Sequence, residues 1–160
     1  MRKITLIAAF FGLAVPVTGL QAIEKEEPVD FEKQIYPLIQ ESCLECHRPP
    51  FEDERGRTRK PKSGLVVANK AGLEAGAEHE NDAGEDEMVP VIVAGKPEES
   101  SFYTLTMLPL SDDDHMPPED KATQLTDDEK ELLKRWIAEG ADYGDWVEDT
   151  EWDKPKPETE

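Results

Sequence analysis

Apolar residues recur at helical spacing in three stretches of the chain, and the elements they predict are short. After Asp30, a residue suited to capping a helix, Phe31, Ile35, Leu38 and Ile39 fall on one helical face. Pro37 interrupts that face and cannot donate to the carbonyl of Lys33, so the spacing predicts either a kink or a fresh helix start there. In the second stretch Pro97 suits a first helical position, and Phe102, Leu105 and Leu108 give the residues after it an apolar side. The third stretch carries the clearest signals. Thr126 and Glu129 form a capping-box pattern, Asp127 and Asp128 complement the positive end of the helix dipole, and Leu132, Leu133, Trp136 and Ile137 make a stripe. Lys134 and Arg135 lie toward the negative end, and Gly140 suits the left-handed residue that ends a helix.

The segments between are polar. Leu65 to Ala68 is a brief apolar run, and Asn69 is expected to cap a short helix ending at Gly76. Residues 48–64 and 111–121 read as loops, residues 78–87 as a featureless acidic loop, and Val89 to Ala94 as extended chain. No internal repeat is present. These elements predict an all-α domain of three or four helices joined by long loops.

The N-terminus adds an address. Arg2 and Lys3 precede an almost wholly apolar Ile4 to Val15, and Pro16 to Ala22 is small and mixed, which is the layout of a secretory signal peptide cleaved after Ala22. An uncleaved N-terminal anchor is the lesser alternative, because the apolar run is shorter than the roughly 20 residues of a membrane span. The expected organisation is therefore signal peptide 1–22, linker 23–28, one domain 29–143, and an acidic, disordered tail 144–160 containing Trp146 and Trp152.

Charge changes the picture of partners. The 160 residues carry 18 Lys and Arg against 37 Asp and Glu, a net charge of −19. Loss of residues 1–22 removes two positive charges and no negative one, leaving −21. Such a surface repels nucleic acid and anionic lipid and attracts a basic protein surface at long range; solubility alone accounts for it equally well. A monomer is expected. Arg55, Arg57, Arg59, Lys60 and Lys62 form an unusual basic loop, read as solvated and charge-neutralising.

The candidate chemistry lies in Cys43-Leu44-Glu45-Cys46-His47, the C-x-x-C-H pattern of covalent haem attachment. Two thiols three positions apart at a helix start can each form a thioether with a porphyrin vinyl group, and the next residue then lies beneath the iron as an imidazole ligand. A thioredoxin-like redox pair would need a strand–helix junction that the pattern lacks. A zinc site would need a fourth ligand, and His79 and His115 stand alone in loops. A plain disulfide leaves His47 unexplained.

A sixth iron ligand has to come from Met88, Met107, Met116, His79 or His115. Met116 is favoured, because it precedes Pro117-Pro118, which hold it out of helical geometry, and because its neighbours Asp112, Asp113, Asp114 and His115 are polar. Met107 fits a helical apolar pattern and is expected in the core. His115 is the competitor, one residue away.

The segments "FEKQIYPLIQESCLECHRPP", "SGLVVANKAGLEAG", "VAGKPEESSFYTL" and "HMPPEDKATQLTDDEKELLKRWIAEGA", in that order over roughly residues 29 to 143, resemble the planctomycete-type cytochrome c domain. The resemblance implies a class I cytochrome c-like helical fold around one covalently attached haem c, His47 and Met116 as axial ligands, and export to the periplasm. The long loop Arg48 to Ser63 and the acidic residues 78–87 depart from the family's usual pattern.

One-electron transfer between protein redox partners is the function expected, not enzymatic turnover. A haem peroxidase or gas or redox sensor is the first alternative, with His115 as the polar residue over an open iron. A haem-free interaction module using the acidic tail is the second.

Overall fold

The computed structural model describes residues 27–152. The signal peptide read at residues 1–22, most of the linker and residues 153–160 of the tail lie outside the described residues.

Asp30 caps the first helical segment, its side chain accepting the Lys33 backbone N–H. Residues Phe31–Ile35 then form a π-turn in which the Tyr36 N–H reaches Phe31 O, five residues back. Pro37 explains the wide turn. It offers no N–H to Lys33, so the chain widens before it and an α-helix, α1 (Tyr36–Ser42), starts with Pro37 in its first turn. Phe31, Ile35 and Ile39 are buried, as their spacing predicts, and Leu38 is half-buried. One turn on, α2 (Leu44–His47) begins at Cys43.

The chain is not all-α. It is a small, mostly helical domain with two antiparallel hairpins in stretches that the hydrophobic pattern assigns to loops. In the first, β1 (Phe51–Glu52) pairs with β2 (Thr58–Arg59), and Asp53 organises the turn by accepting from the Arg55 and Arg57 N–H groups and both the Arg57 and Arg59 guanidinium groups. In the second, β3 (Ala77–Glu80) pairs with β4 (Asp86–Val89), Ala77 opposite Val89. The Asn81 side chain accepts from Ala83 and Glu85, and Gly84 takes a positive φ. Both hairpins are made by turn chemistry rather than by a buried face, so no apolar alternation marks them.

Between the hairpins α3 (Lys70–Ala75) is capped by Asn69, as expected. Gly76 follows at φ +87°, where an added Cβ would meet Val89 O at 1.9 Å. Only glycine lets α3 turn so closely against β4.

The second expected helix is broken. A 3-10 turn at Pro97–Glu99, α4 (Ser101–Thr104) and a second 3-10 turn at Leu105–Met107 replace it. The cause is Ser100, whose hydroxyl bonds the Val93 N–H and the Lys96 carbonyl and so competes with the helix. Tyr103 and Thr106 are buried there, while Phe102, Leu105 and Leu108 are only half-buried. Met107, expected in the core, is 54% exposed.

The last helix, α5 (Asp127–Ala138), has the full capping box and buries Leu133, Trp136 and Ile137. The chain stays packed beyond Tyr143, contrary to the expected disorder from residue 144. Trp146 is buried against Phe31 and Tyr36 at ring-centroid distances of 4.8 and 4.7 Å. Asp149 accepts hydrogen bonds from the Tyr36 hydroxyl and the Gln40 amide, and its N–H donates to Ala68 O. Burying the Trp146 ring outweighs the local acidity of this segment. No helix among the described residues is long and apolar enough to cross a membrane.

Candidate functional site

Cys43 ends α1 and starts α2, its carbonyl accepting from the N–H groups of Cys46 and His47 at 3.3 and 3.1 Å. The two thiols are therefore one helical turn apart and His47 follows on the same short helix. Leu44 between them is buried and anchors the segment to the core. Both cysteines are free thiols. Burial, with a smaller effect from Cys46, pushes the Cys43 thiol up to about 12, whereas a dithiol redox pair works through a lowered thiol pKa.

The His47 ring is oriented from one side. Its Nδ1 lies 3.1 Å from the Lys62 carbonyl, which can only accept, so Nδ1 carries the proton and the Nε2 lone pair is left for a metal. Burial lowers the His47 pKa, with backbone contacts to Lys62 and Leu65 opposing it, so the neutral, ligating form is favoured. The carbonyl is presented by the tight turn Lys62–Gly64, in which Ser63 (φ 49°) and Gly64 (φ 63°) both adopt left-handed conformations. The His47 carbonyl in turn accepts from the Val67 N–H, which fixes the ring from its backbone as well.

Arg48, the next residue, stacks its guanidinium 3.7 Å above the Phe51 ring. Its Nε is buried with no hydrogen-bond partner, the sole such side-chain atom among the described residues. A buried N–H left without an acceptor costs about 1–3 kcal/mol. An acceptor supplied by a bound group would remove that cost.

Met116 is carried by a separate loop, after the 3-10 turn at Leu105–Met107. It is half-buried, its N–H donates to Leu105 O at 3.1 Å, and the Met116–Pro117 peptide is cis. His115 beside it is buried, with Nδ1 2.9 Å from Leu108 O and Nε2 2.9 Å from the Gln124 side-chain oxygen. Both ring nitrogens face oxygen acceptors, to one of which the single N–H of a neutral ring donates, so binding iron would require His115 to turn away from this site. Met88 and His79 stand on the exposed β3–β4 hairpin, opposite Glu78 and Glu87.

Cys43, Cys46 and His47 are thus brought together by local structure, and Met116 is carried on a separate loop. No hydrogen bond joins the two among the described residues. Leu44 between the two cysteines, Tyr103 just before Leu105 and Leu125 beside Gln124 all belong to one hydrophobic cluster. No three His, Cys, Asp or Glu side chains among the described residues cluster as a metal site.

The residues present fit a covalently held haem. Free thiols at the thioether spacing, an imidazole with its Nε2 lone pair available, and an orphaned buried Arg48 N–H suited to a carboxylate-bearing group all agree with it. The Lys62 carbonyl, Gln124 and the Arg48–Phe51 stack are not marked by the motif. Only the placement of Arg48 next to His47 hints at its role. Comparison of the chain with family models, with curated proteins and with solved structures finds no match.

Proposed function

We propose that the protein is an exported, single-haem c-type cytochrome that carries one electron at a time between protein partners. The observation that carries this reading is the His47 ring, whose Nδ1 is committed to the Lys62 carbonyl beside two free thiols at thioether spacing. Cys43 and Cys46 would hold the haem covalently, and His47 and Met116 would be the side chains that ligate its iron. Haem held by an imidazole and a thioether supplies iron that alternates between ferrous and ferric states, with the thioether raising the potential.

Iron ligated by both His47 and Met116 would suit a carrier. His115, the polar residue that a peroxidase or sensor would need over an open iron, points both nitrogens at Leu108 and Gln124 instead. The exposed run Asp112–Asp114 beside the Met116 loop is the face a basic partner would meet.

The test is carbon monoxide binding to the matured, reduced, unmutated protein. A carrier with Met116 in place leaves the spectrum unchanged. Ready binding of carbon monoxide would overturn the carrier reading in favour of an open, reactive iron.

A further inference from the structure

The loop that bears Met116 poses a specific problem of attachment. Pro117 and Pro118 have no N–H, so the loop cannot be tied down through its own backbone donors at these positions and offers only carbonyls. A donor must come from elsewhere. Gln124 supplies it, its amide nitrogen lying 2.9 Å from Pro117 O and 3.3 Å from Pro118 O.

Those two bonds fix which way the amide faces, because carbonyls accept only from its nitrogen. The Gln124 oxygen is thereby turned toward His115 Nε2 at 2.9 Å. His115 Nδ1 reaches Leu108 O at 2.9 Å, and the neighbouring Met116 N–H reaches Leu105 O at 3.1 Å. The result is a run of short contacts from the turn at 105–108, through His115 and Gln124, to the carbonyls that immediately follow Met116, in which a neutral His115 ring donates to one of the two oxygens it faces. Its inner member, His115, is 3% exposed, and Leu125, next to Gln124, is buried in the core.

We propose that His115 and Gln124 act as a positioning pair that holds the Met116 loop, so that His115 determines ligation without being a ligand. The inference rests on the reading of Met116 as the sixth ligand and names what keeps that ligand in place. A thioether is a neutral and weak donor. Its hold on iron depends on how little freedom its loop has, and the pair removes that freedom at the carbonyl side.

The experiment uses the full chain matured with haem. Gln124→Leu keeps the bulk of the side chain and removes both its donor and its acceptor. Expected are an attenuated sulfur-to-iron absorption band in the oxidised protein, and at least a tenfold rise in carbon monoxide binding by the reduced protein. Amide exchange should quicken at Met116, while the Val67 amide bonded to His47 O keeps its rate. Gln124→Glu retains an acceptor for His115 but cannot donate to Pro117 and Pro118 when ionised, so it should show the same changes should the leucine variant not fold.

Met116→Ala, run in parallel, separates the two ideas. If it opens the iron and both Gln124 variants do not, the positioning pair is overturned while the ligand reading stands. If Met116→Ala itself leaves the band and carbon monoxide response unchanged, the ligand reading fails and the pair with it. Lower thermal stability of the Gln124 variants, with ligation unaltered, would reduce the pair to ordinary packing and overturn the proposal.

Discussion

The Cys43–His47 segment takes its geometry from five consecutive residues and one helical turn, whereas the Met116 loop is held by Leu105, Leu108 and Gln124, which lie up to eleven positions away along the chain. On the first side the backbone carbonyl of Cys43 sets the spacing of both thiols, and the imidazole needs one outside contact, Lys62 O. On the second side two prolines remove the local donors, so side chains must replace them. A local motif tolerates change elsewhere in the fold. A loop assembled from dispersed contacts depends on all of them, and the second half of the site should therefore be the more easily disturbed.

The largest test of this contrast removes what the two halves share. Trp136 is buried and packs at 5.1 Å from Phe31 and 5.4 Å from Tyr143, tying the helix that leads to Cys43 to the helix that follows Gln124. Trp136→Ala should lower stability by about 3–5 kcal/mol in denaturant titration. Loss of the sulfur-to-iron band should precede global unfolding in that variant. Simultaneous loss would mean that the two halves are equally robust.

A smaller change strikes the first half alone. Gly64→Ala puts a Cβ at φ +63°, 2.8 Å from Glu78 side-chain atoms, in the turn that offers Lys62 O to His47. Stability should fall by about 1–2 kcal/mol. The midpoint potential should shift while carbon monoxide remains excluded, because Met116 is untouched. A normal potential would show that the Lys62 carbonyl does not govern His47.

High pH probes the core beneath both halves. Burial, with a smaller effect from Glu74, pushes the Tyr143 phenol up to about 12, and burial together with the Asp149 carboxylate also raises that of Tyr36. The folded state holds these protons more tightly than the unfolded chain does, so their contribution is complete below the ordinary tyrosine range near 10 and is lost as pH climbs from about 10 through about 12. Circular dichroism should record falling stability across that window, and Tyr143→Phe should blunt it. The smallest effect is expected at the α5 cap, where Thr126→Ala should cost about 1 kcal/mol and leave the haem spectrum unchanged.

The same contrast explains what could be read from sequence. The helix start at Pro37, the Asn69 cap, the Thr126 capping box and the Cys43–His47 turn are local, and each is visible in a few residues; the π-turn before Pro37 is not. The two hairpins were hidden because Asp53 and Asn81 build their turns without an apolar alternation, although Asn81 and Gly84 are turn residues. The packed tail was hidden because its acidity masks Trp146 and Asp149, whose partners, Phe31, Tyr36 and Gln40, are more than a hundred positions away. Met107 follows the α-helical pattern and is exposed because the chain tightens into a 3-10 turn at Leu105–Met107, where Thr106, three residues after Tyr103, takes the buried position. The Lys62 carbonyl has no side-chain signature at all, so only the fold brings it to His47.

The most direct measurement is the absorption spectrum of the protein, made with a c-type maturation system, before and after denaturation and extraction. Haem should stay with the polypeptide through denaturation, and Cys43→Ser together with Cys46→Ser should release it. A chain that carries no haem, or one that gives up its haem on denaturation with both cysteines intact, would contradict the account.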